Sequence, residues 1–204
     1  MKTQQQKQKG FTLVEIAIVL VIIGLLLGGV LKGQELIRGA KIKAAAQEVK
    51  EWSAAYYGYI DRYGKKPGDD DTQASRWSDM TNGDNDGSIE HNICDSDTDE
   101  SCLAMRALMH AGFIKGDGTD GQPKPQMKLG GKAHLYSATY YSQKGIWLRS
   151  EGNTPKELLA ELDRKIDDGK CNSGVMVSTT TNNSYCDQTT GEYKKDYHYV
   201  VKID

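Results

Sequence analysis

The sequence predicts an α+β fold in which one long N-terminal α-helix packs on a small antiparallel β-sheet. Two observations carry this prediction. A nearly unbroken apolar run from Phe11 to Leu31 continues into an amphipathic helix that ends near Tyr63, and short strand-like segments follow it. The chain has 204 residues, 38% hydrophobic and 26% charged, which fits one folded unit plus a special N-terminal segment.

The apolar run is long enough to cross a membrane. Its 21 residues span about 31 Å as a helix, close to the bilayer hydrocarbon thickness of about 30 Å. The residues around its C-terminal end, Gly28 to Gly33, offer no Ala-x-Ala-like site for an ordinary signal peptidase. An uncleaved membrane anchor is one interpretation. Basic residues flank both ends of the run, so charge bias does not fix its orientation.

The residues at the start of this run, Lys9-Gly10-Phe11-Thr12-Leu13-Val14-Glu15, resemble the processing site of type IV pilins and of type II secretion pseudopilins. The resemblance implies a leader at residues 1–10 that a membrane peptidase removes after Gly10, and N-methylation of the new terminal residue Phe11. Residues 11–31 would be the transmembrane half of the long helix. It also implies that Glu15, the fifth mature residue, pairs with the Phe11 amine of a neighbouring subunit during assembly.

One residue departs from that resemblance. Many pilus-building members carry a helix-kinking proline about twenty residues into the mature chain, whereas this sequence has Lys32 there. Whether the transmembrane helix melts locally on assembly therefore stays open, although Gly24, Gly28 and Gly29 have weak helix propensity.

The helix is predicted to continue as an amphipathic half over residues 32–63. Apolar residues recur there at steps of three and four, which indicates one buried helix face. A head domain over residues 64–204 would cover that face, as the resemblance to pilins implies. Aromatic residues at this spacing also suit stacking on nucleic acid, but aromatic residues at helical spacing usually belong to a core. The apolar positions are Ile42, Ala45, Val49, Trp52, Tyr56, Tyr59 and Tyr63.

An acidic segment follows the helix, which Gly64 and Pro67 end. Residues 69–100 contain eleven acidic residues and one basic residue, Arg76. Because such a segment repels itself, we expect it to be solvated, disordered or bound to cations.

Part of this segment matches the front of a calcium-binding loop. Oxygen-bearing side chains stand at alternate positions, Gly87 permits a sharp turn, and an apolar residue follows at Ile89. The twelfth position is Ile93, so the bidentate glutamate of an EF-hand is missing, and Glu90 or Asp95 would have to replace it. A solvated turn without a metal is the alternative. The candidate ligands are Asn82, Asp84, Asp86, Ser88 and Glu90.

The head is predicted to contain two helices and two pairs of strands. A hairpin would turn at Gln143–Gly145, and the second helix would begin at the capping box Thr154-Pro155-Lys156-Glu157. The predicted elements are a helix over 100–111, strands over 135–142 and 146–149, a helix closing near Gly169, and strands over 175–181 and 197–203.

The four cysteines form two pairs close in sequence, Cys94 with Cys102 and Cys171 with Cys186. In an exported chain this spacing predicts two disulfides and an oxidising compartment. Zinc binding would need further ligands at spacings that the sequence does not offer. By resemblance, the second pair bounds the region that many pilins expose on the filament surface.

Signatures of catalysis are missing from the sequence. The four histidines show no ligand spacing, and neither a Gly-x-Ser-x-Gly elbow nor a phosphate-binding glycine loop occurs. We therefore expect a non-enzymatic protein that requires no cofactor, with Ca²⁺ as a candidate ligand.

The function implied by the resemblance is that of a pilin or minor pilin. The expected partners are identical or related pilin subunits, the prepilin peptidase and an inner-membrane assembly platform. The expected location is the inner membrane with the head in the periplasm or outside, and then a surface or periplasm-spanning filament. A type II secretion pseudopilin is the first alternative. A membrane-anchored DNA- or ligand-binding protein is the second, although nucleic acid is disfavoured.

Overall fold

A computed structural model describes residues 11–90, 93–180 and 183–204. The α+β class is confirmed: four helices and a four-stranded antiparallel sheet are present within these residues. The chain divides between Ala40 and Lys41 into two compact units. The elements are α1 (Leu13–Tyr63), α2 (Gln73–Arg76), α3 (Glu100–His110), β1 (Lys132–Tyr140), β2 (Gln143–Thr154), α4 (Lys156–Ile166), β3 (Met176–Val177) and β4 (Tyr197–Lys202).

The N-terminal unit contains the apolar part of α1. Residues 11–32 are all solvent-exposed, although most of them are large and apolar. By length and composition, α1 is the one helix of the described residues that suits a membrane crossing. The predicted leader, residues 1–10, lies outside the described residues and includes Gly10, the predicted processing residue.

The second unit is built on the last six turns of α1. The predicted helix face is buried, including Ile42, Trp52, Tyr56 and Tyr59. These side chains belong to one core cluster with residues of α3 and of the sheet. Each fully buried large side chain contributes about 1.5–3 kcal/mol. The predicted packing of the amphipathic helix on the head is therefore confirmed for its part from Ile42 to Tyr59, whereas residues 34–41 are exposed.

The sheet has the strand order β1-β2-β4-β3, with every pair antiparallel. Leu135 pairs with Leu148, and Leu148 pairs with Val201, so these three side chains form a row on the core side. Tyr136 and Trp147 pair on the opposite face, where they belong to a second, smaller cluster. The alternation of faces follows from the period-two geometry of a strand.

The predicted position of the hairpin turn is wrong. Tyr140 pairs with Gln143, so the connection is the two residues Tyr141 and Ser142, with φ of 48° and 66°. Positive φ at both residues defines the two-residue turn whose twist matches that of the strands. Gln143, which was predicted to begin the turn, is instead the first residue of β2.

The predicted capping box at the start of α4 is also wrong. Thr154 ends β2 and pairs with Tyr197, and its hydroxyl has no hydrogen-bond partner among the described groups. Pro155 is the N-cap, and its carbonyl accepts hydrogen bonds from the amides of Leu158 and Leu159. Continuing the sheet through Thr154 therefore displaces the helix start by one residue.

The strand predicted over residues 175–181 is shorter in the structure. Only Met176 and Val177 form β3, since the amide of Ser178 donates to the carbonyl of Cys171 at 2.8 Å instead of extending the ladder. Thr181, the predicted end of this strand, lies outside the described residues.

Candidate functional site

A reciprocal pair of hydrogen bonds opens helix α1. The amide and the hydroxyl of Thr12 each donate to Oε2 of Glu15 at 2.8 Å, and the amide of Glu15 donates to Oγ1 of Thr12 at 3.2 Å. Thr12 is the residue before the first helical residue, Leu13. This arrangement is a capping box, which satisfies backbone donors that the first helical turn leaves free. Its signature, Thr-x-x-Glu before an apolar run, is present in the sequence but was not among the predicted features.

The capping box contains one predicted assembly residue, Glu15, and directly follows the other, Phe11. Phe11 directly precedes Thr12, and its side chain is 83% exposed. Glu15 is the only charged residue from Phe11 to Leu31. Its carboxylate lies at the positive end of the helix dipole, where a negative charge is stabilised. The capping box therefore fixes the Glu15 carboxylate in the first helical turn, four residues after the predicted N-terminal residue Phe11.

The acidic segment after α1, which was expected to be solvated, disordered or bound to cations, is partly packed. The side chain of Asp70 is fully buried. Its Oδ1 accepts from the amide of Thr72 at 2.8 Å and from its hydroxyl at 2.7 Å, and Arg76 forms an ion pair with its Oδ2. Burial alone would raise the pKa of Asp70, but the hydrogen bonds from Thr72, Tyr59 and Arg76 bring that pKa below its usual value.

Three carboxylates of this segment converge. Asp69, Asp84 and Glu100 each offer an oxygen, and these oxygens all lie within 4.8 Å of one another. Asp69 and Glu100 are buried, whereas Asp84 is exposed. Burial raises the pKa of Asp69, and the nearby carboxylates Asp86 and Asp84 raise it further. We call this group the carboxylate cluster.

Of the five candidate calcium ligands, Asp84 alone belongs to the carboxylate cluster. Oδ1 of Asn82 accepts a 2.9 Å hydrogen bond from the amide of Ala74, and Oδ1 of Asp86 accepts one of 2.7 Å from the amide of Ser88. The amide of Glu90 donates to Oε2 of Glu100 at 2.9 Å.

The two other members of the cluster were not candidates in the sequence. Asp69 and Glu100 lie 15 and 16 residues from Asp84 on opposite sides. The sequence contains no signal for their convergence, which depends on how the segment after α1 folds against α3.

A second group of acidic residues lies in the C-terminal part of the head. Asp163 of α4 is fully buried, its Oδ2 accepts from the hydroxyl of Tyr193 at 2.7 Å, and its Oδ1 accepts from the amide of Gly169 at 3.1 Å. Burial raises the pKa of Asp163 to about 7 despite these hydrogen bonds, and Asp168 and Asp167 raise it further. The hydrogen bonds connect α4 to the loop that carries the second disulfide.

Both predicted disulfides are confirmed. Cys94 and Cys102 are joined with Cα atoms 4.7 Å apart, and Cys171 and Cys186 with Cα atoms 5.7 Å apart. The first disulfide connects the acidic segment to α3, and the second closes the loop before β4.

The histidines have structural partners within the described residues. His110 stacks on Trp77, and Nδ1 of His134 accepts a 3.1 Å hydrogen bond from the amide of Cys94. His198 lies 2.8 Å from the hydroxyl of Thr179. His91 lies outside the described residues. The contacts of His110, His134 and His198 are those of packing residues.

Comparison with known proteins identifies the N-terminal segment. Residues 5–31 match the family described as the prokaryotic N-terminal methylation motif, the prepilin-type signature of type IV pilins and pseudopilins. This signature belongs to structural proteins, not to catalysts, and implies processing by a prepilin peptidase. Together with the apolar helix, it suits a membrane-anchored, single-pass protein. Neither the curated proteins nor the solved structures include a match to this chain.

Proposed function

We propose that this chain, which carries the prepilin-type signature at residues 5–31, is a pilin or minor pilin of a type IV pilus-like filament. A prepilin peptidase cuts after Gly10, and Phe11 becomes the methylated N-terminus. The inner membrane holds the subunit before assembly. An assembly platform then polymerises it with identical or related subunits into a surface or periplasm-spanning filament.

The observation that carries this proposal is the continuity of the signature with an uncovered apolar helix. The matched segment ends at residue 31, and residues 11–32 are exposed. A helix that is apolar on all sides is stable only when another apolar phase surrounds it. Lipid supplies that phase before assembly, and the corresponding helices of neighbouring subunits supply it in a filament.

Glu15 sets the position of one subunit's helix relative to the next during assembly. A carboxylate within a membrane helix costs on the order of 2.5–3.5 kcal/mol on insertion scales. The cost favours any arrangement in which a cation meets the carboxylate away from water. Cleavage after Gly10 creates such a cation at Phe11, and the amine of a neighbouring subunit would fix the axial register of the filament.

Intact mass spectrometry of the protein purified from membranes tests the processing step. The expected mass is that of residues 11–204 plus one methyl group. Expression without the peptidase should give the mass of the whole chain as the control. An N-terminus at Met1 in cells that contain the peptidase, or one beyond Leu31, would contradict the proposal.

The pseudopilin of a type II secretion system is the second candidate, because the same signature marks both classes. Deletion of the gene distinguishes them. Loss of surface filaments with normal protein export supports the pilin, whereas retention of exported enzymes in the periplasm supports the pseudopilin.

A further inference from the structure

We propose that the carboxylate cluster of Asp69, Asp84 and Glu100 binds one calcium ion, which ties the loop of residues 82–90 to the segment after α1 and to the first turn of α3. This site differs from the loop-only site that the sequence predicts, since two of its three carboxylates lie outside the loop. It is independent of whether the chain forms filaments.

The strongest observation is an unsatisfied buried oxygen. Asp69 is 3% exposed, and its Oδ2 accepts a 3.0 Å hydrogen bond from the amide of Gly87. Its Oδ1 is also buried, but no donor in the described part of the chain contacts it. A buried carboxylate oxygen without a partner is costly, and native proteins usually satisfy it. A cation bound at the cluster would do so.

The distances fit a single ion. Calcium binds oxygen at about 2.3–2.6 Å, so two oxygens on the same ion lie at most about 5.2 Å apart. One oxygen each from Asp69, Asp84 and Glu100 meets that limit, since all are within 4.8 Å of one another.

The backbone around the cluster is packed tightly enough to hold the carboxylates in place. A Cβ on Gly83 would lie 2.2 Å from the carbonyl oxygen of Gly68, and a Cβ on Gly68 would lie 2.4 Å from the carbonyl oxygen of Glu100. The amide of Asp84 also donates to Oε1 of Glu100 at 3.3 Å. Two glycines thus let three chain segments meet where the carboxylates converge.

Basic side chains near the cluster are directed to other groups. Arg76 pairs with Asp70, and Lys65 lies 3.0 Å from Asp71. Lys66 donates a hydrogen bond to the carbonyl of Gly87. The negative charge of the cluster is therefore left for a mobile cation.

The ligand set favours calcium among the common metals. Carboxylate oxygens suit hard cations, and thiolate or imidazole ligands do not take part. Calcium accepts six to eight ligands in irregular geometry, so water at the exposed Asp84 can complete the shell, whereas magnesium demands a near-ideal octahedron. Three carboxylates, of which Asp84 alone is open to solvent, predict a dissociation constant of about 10⁻⁵–10⁻³ M.

Calorimetric titration of the full chain in detergent, freed of metal with EDTA, tests the site with CaCl₂ as the probe. We expect one saturable site and a higher melting temperature in calcium. Asp84→Asn should weaken the affinity at least about tenfold, because ligand charge sets the affinity of such sites. Asp84 is exposed, and asparagine keeps the acceptor for the amide of Asp86, so this variant should fold normally. Asp69→Asn and Glu100→Gln should also weaken binding.

Matched controls come from the same acidic segment. Glu90→Gln and Asp97→Asn remove exposed carboxylates outside the cluster, and their calcium affinity should stay within about twofold of wild type. Absence of saturable binding at millimolar calcium would overturn the proposal, as would tighter binding of MgCl₂ or full affinity in Asp84→Asn. A loss of affinity in Glu90→Gln equal to that in Asp84→Asn would overturn the assigned ligands.

Discussion

The phenol of Tyr59 donates a 2.8 Å hydrogen bond to the buried carboxylate of Asp70. The guanidinium of Arg76 contacts both groups, at 3.1 Å from the phenol oxygen and in an ion pair with the carboxylate. Because Tyr59 lies on α1 and Asp70 follows the helix, this contact fixes the direction in which the acidic segment leaves α1. It thereby positions Asp69, the neighbour of Asp70, in the carboxylate cluster.

Tyr59→Phe should therefore destabilise the head. The substitution keeps the ring but removes a donor from a fully buried carboxylate, which costs about 1.5–3 kcal/mol for a hydrogen bond to a charged group. Urea unfolding in detergent measures the change. Tyr57→Phe is the matched control, because Tyr57 is 50% exposed on the same helix and should change stability by less than about 0.5 kcal/mol. Equal stability of the two variants would contradict this role.

The pKa of Asp163, raised to about 7, predicts a pH dependence of stability. A carboxyl group with an unfolded pKa of about 3.9 binds its proton more tightly in the folded state. Its contribution to stability is thus fully present below about pH 4 and is lost as the pH rises through about 7. The groups that face it are Tyr193, Asp168 and Asp167.

Asp163→Asn should remove this dependence, because an amide does not titrate and can still bond to Gly169 and Tyr193. Relative to wild type, the variant should gain up to about 4 kcal/mol between pH 4 and 8. Unfolding free energies measured at several pH values test this. Asp61→Asn, which changes an exposed carboxylate of α1, should track wild type. A constant difference between Asp163→Asn and wild type across the range would refute the assignment.

The capping box at Thr12 predicts that the first turn of α1 depends on a hydroxyl. Thr12→Ala removes the acceptor for the amide of Glu15 and should cost about 1 kcal/mol. Amide hydrogen exchange of the cleaved protein in micelles should then become about fivefold faster over the first turn. Thr12→Ser keeps the hydroxyl and should exchange like wild type. Unchanged exchange in Thr12→Ala would show that the lipid environment alone orders this turn.

Local patterns explain why much of the fold was predictable. The apolar run and the apolar positions from Ile42 to Tyr63 predict α1. Helical periodicity can be recognised from residues close together in the sequence. Both disulfides follow from cysteines close in sequence. The hairpin turn was misplaced because Tyr141 and Ser142 adopt positive φ, which the composition of a turn does not usually indicate for these residue types.

The carboxylate cluster was only partly predictable for a different reason. Asp84 was identified because the calcium-loop pattern is local. Asp69 and Glu100 come close to Asp84 only because other backbone segments approach Gly68 and Gly83 so closely that a side chain at either glycine would clash. Such an approach between segments distant in the chain leaves no periodic signal, so the cluster becomes visible only in three dimensions.

Glu15 provides the test of assembly. We expect Glu15→Ala to insert into the membrane and to be cleaved normally, because the apolar run and the Gly10–Phe11 junction are unchanged. Removing the carboxylate also lowers the insertion cost, by on the order of 2.5–3.5 kcal/mol. In the proposed filament the variant would lose the partner for the Phe11 amine, and a charge pair away from water is far stronger than one at a surface.

Incorporation of cleaved Glu15→Ala into sheared filaments should therefore fall at least about tenfold below wild type, the factor that a loss of 1.4 kcal/mol produces. Mass spectrometry of the membrane fraction first confirms that the cleaved subunit is present, so that a processing defect is not mistaken for an assembly defect. Glu35→Ala is the control, because Glu35 pairs with Lys32 on an exposed part of α1 beyond the apolar run and should assemble normally. Normal incorporation of Glu15→Ala would show that helix packing alone sets the register and that the carboxylate serves only the capping box with Thr12.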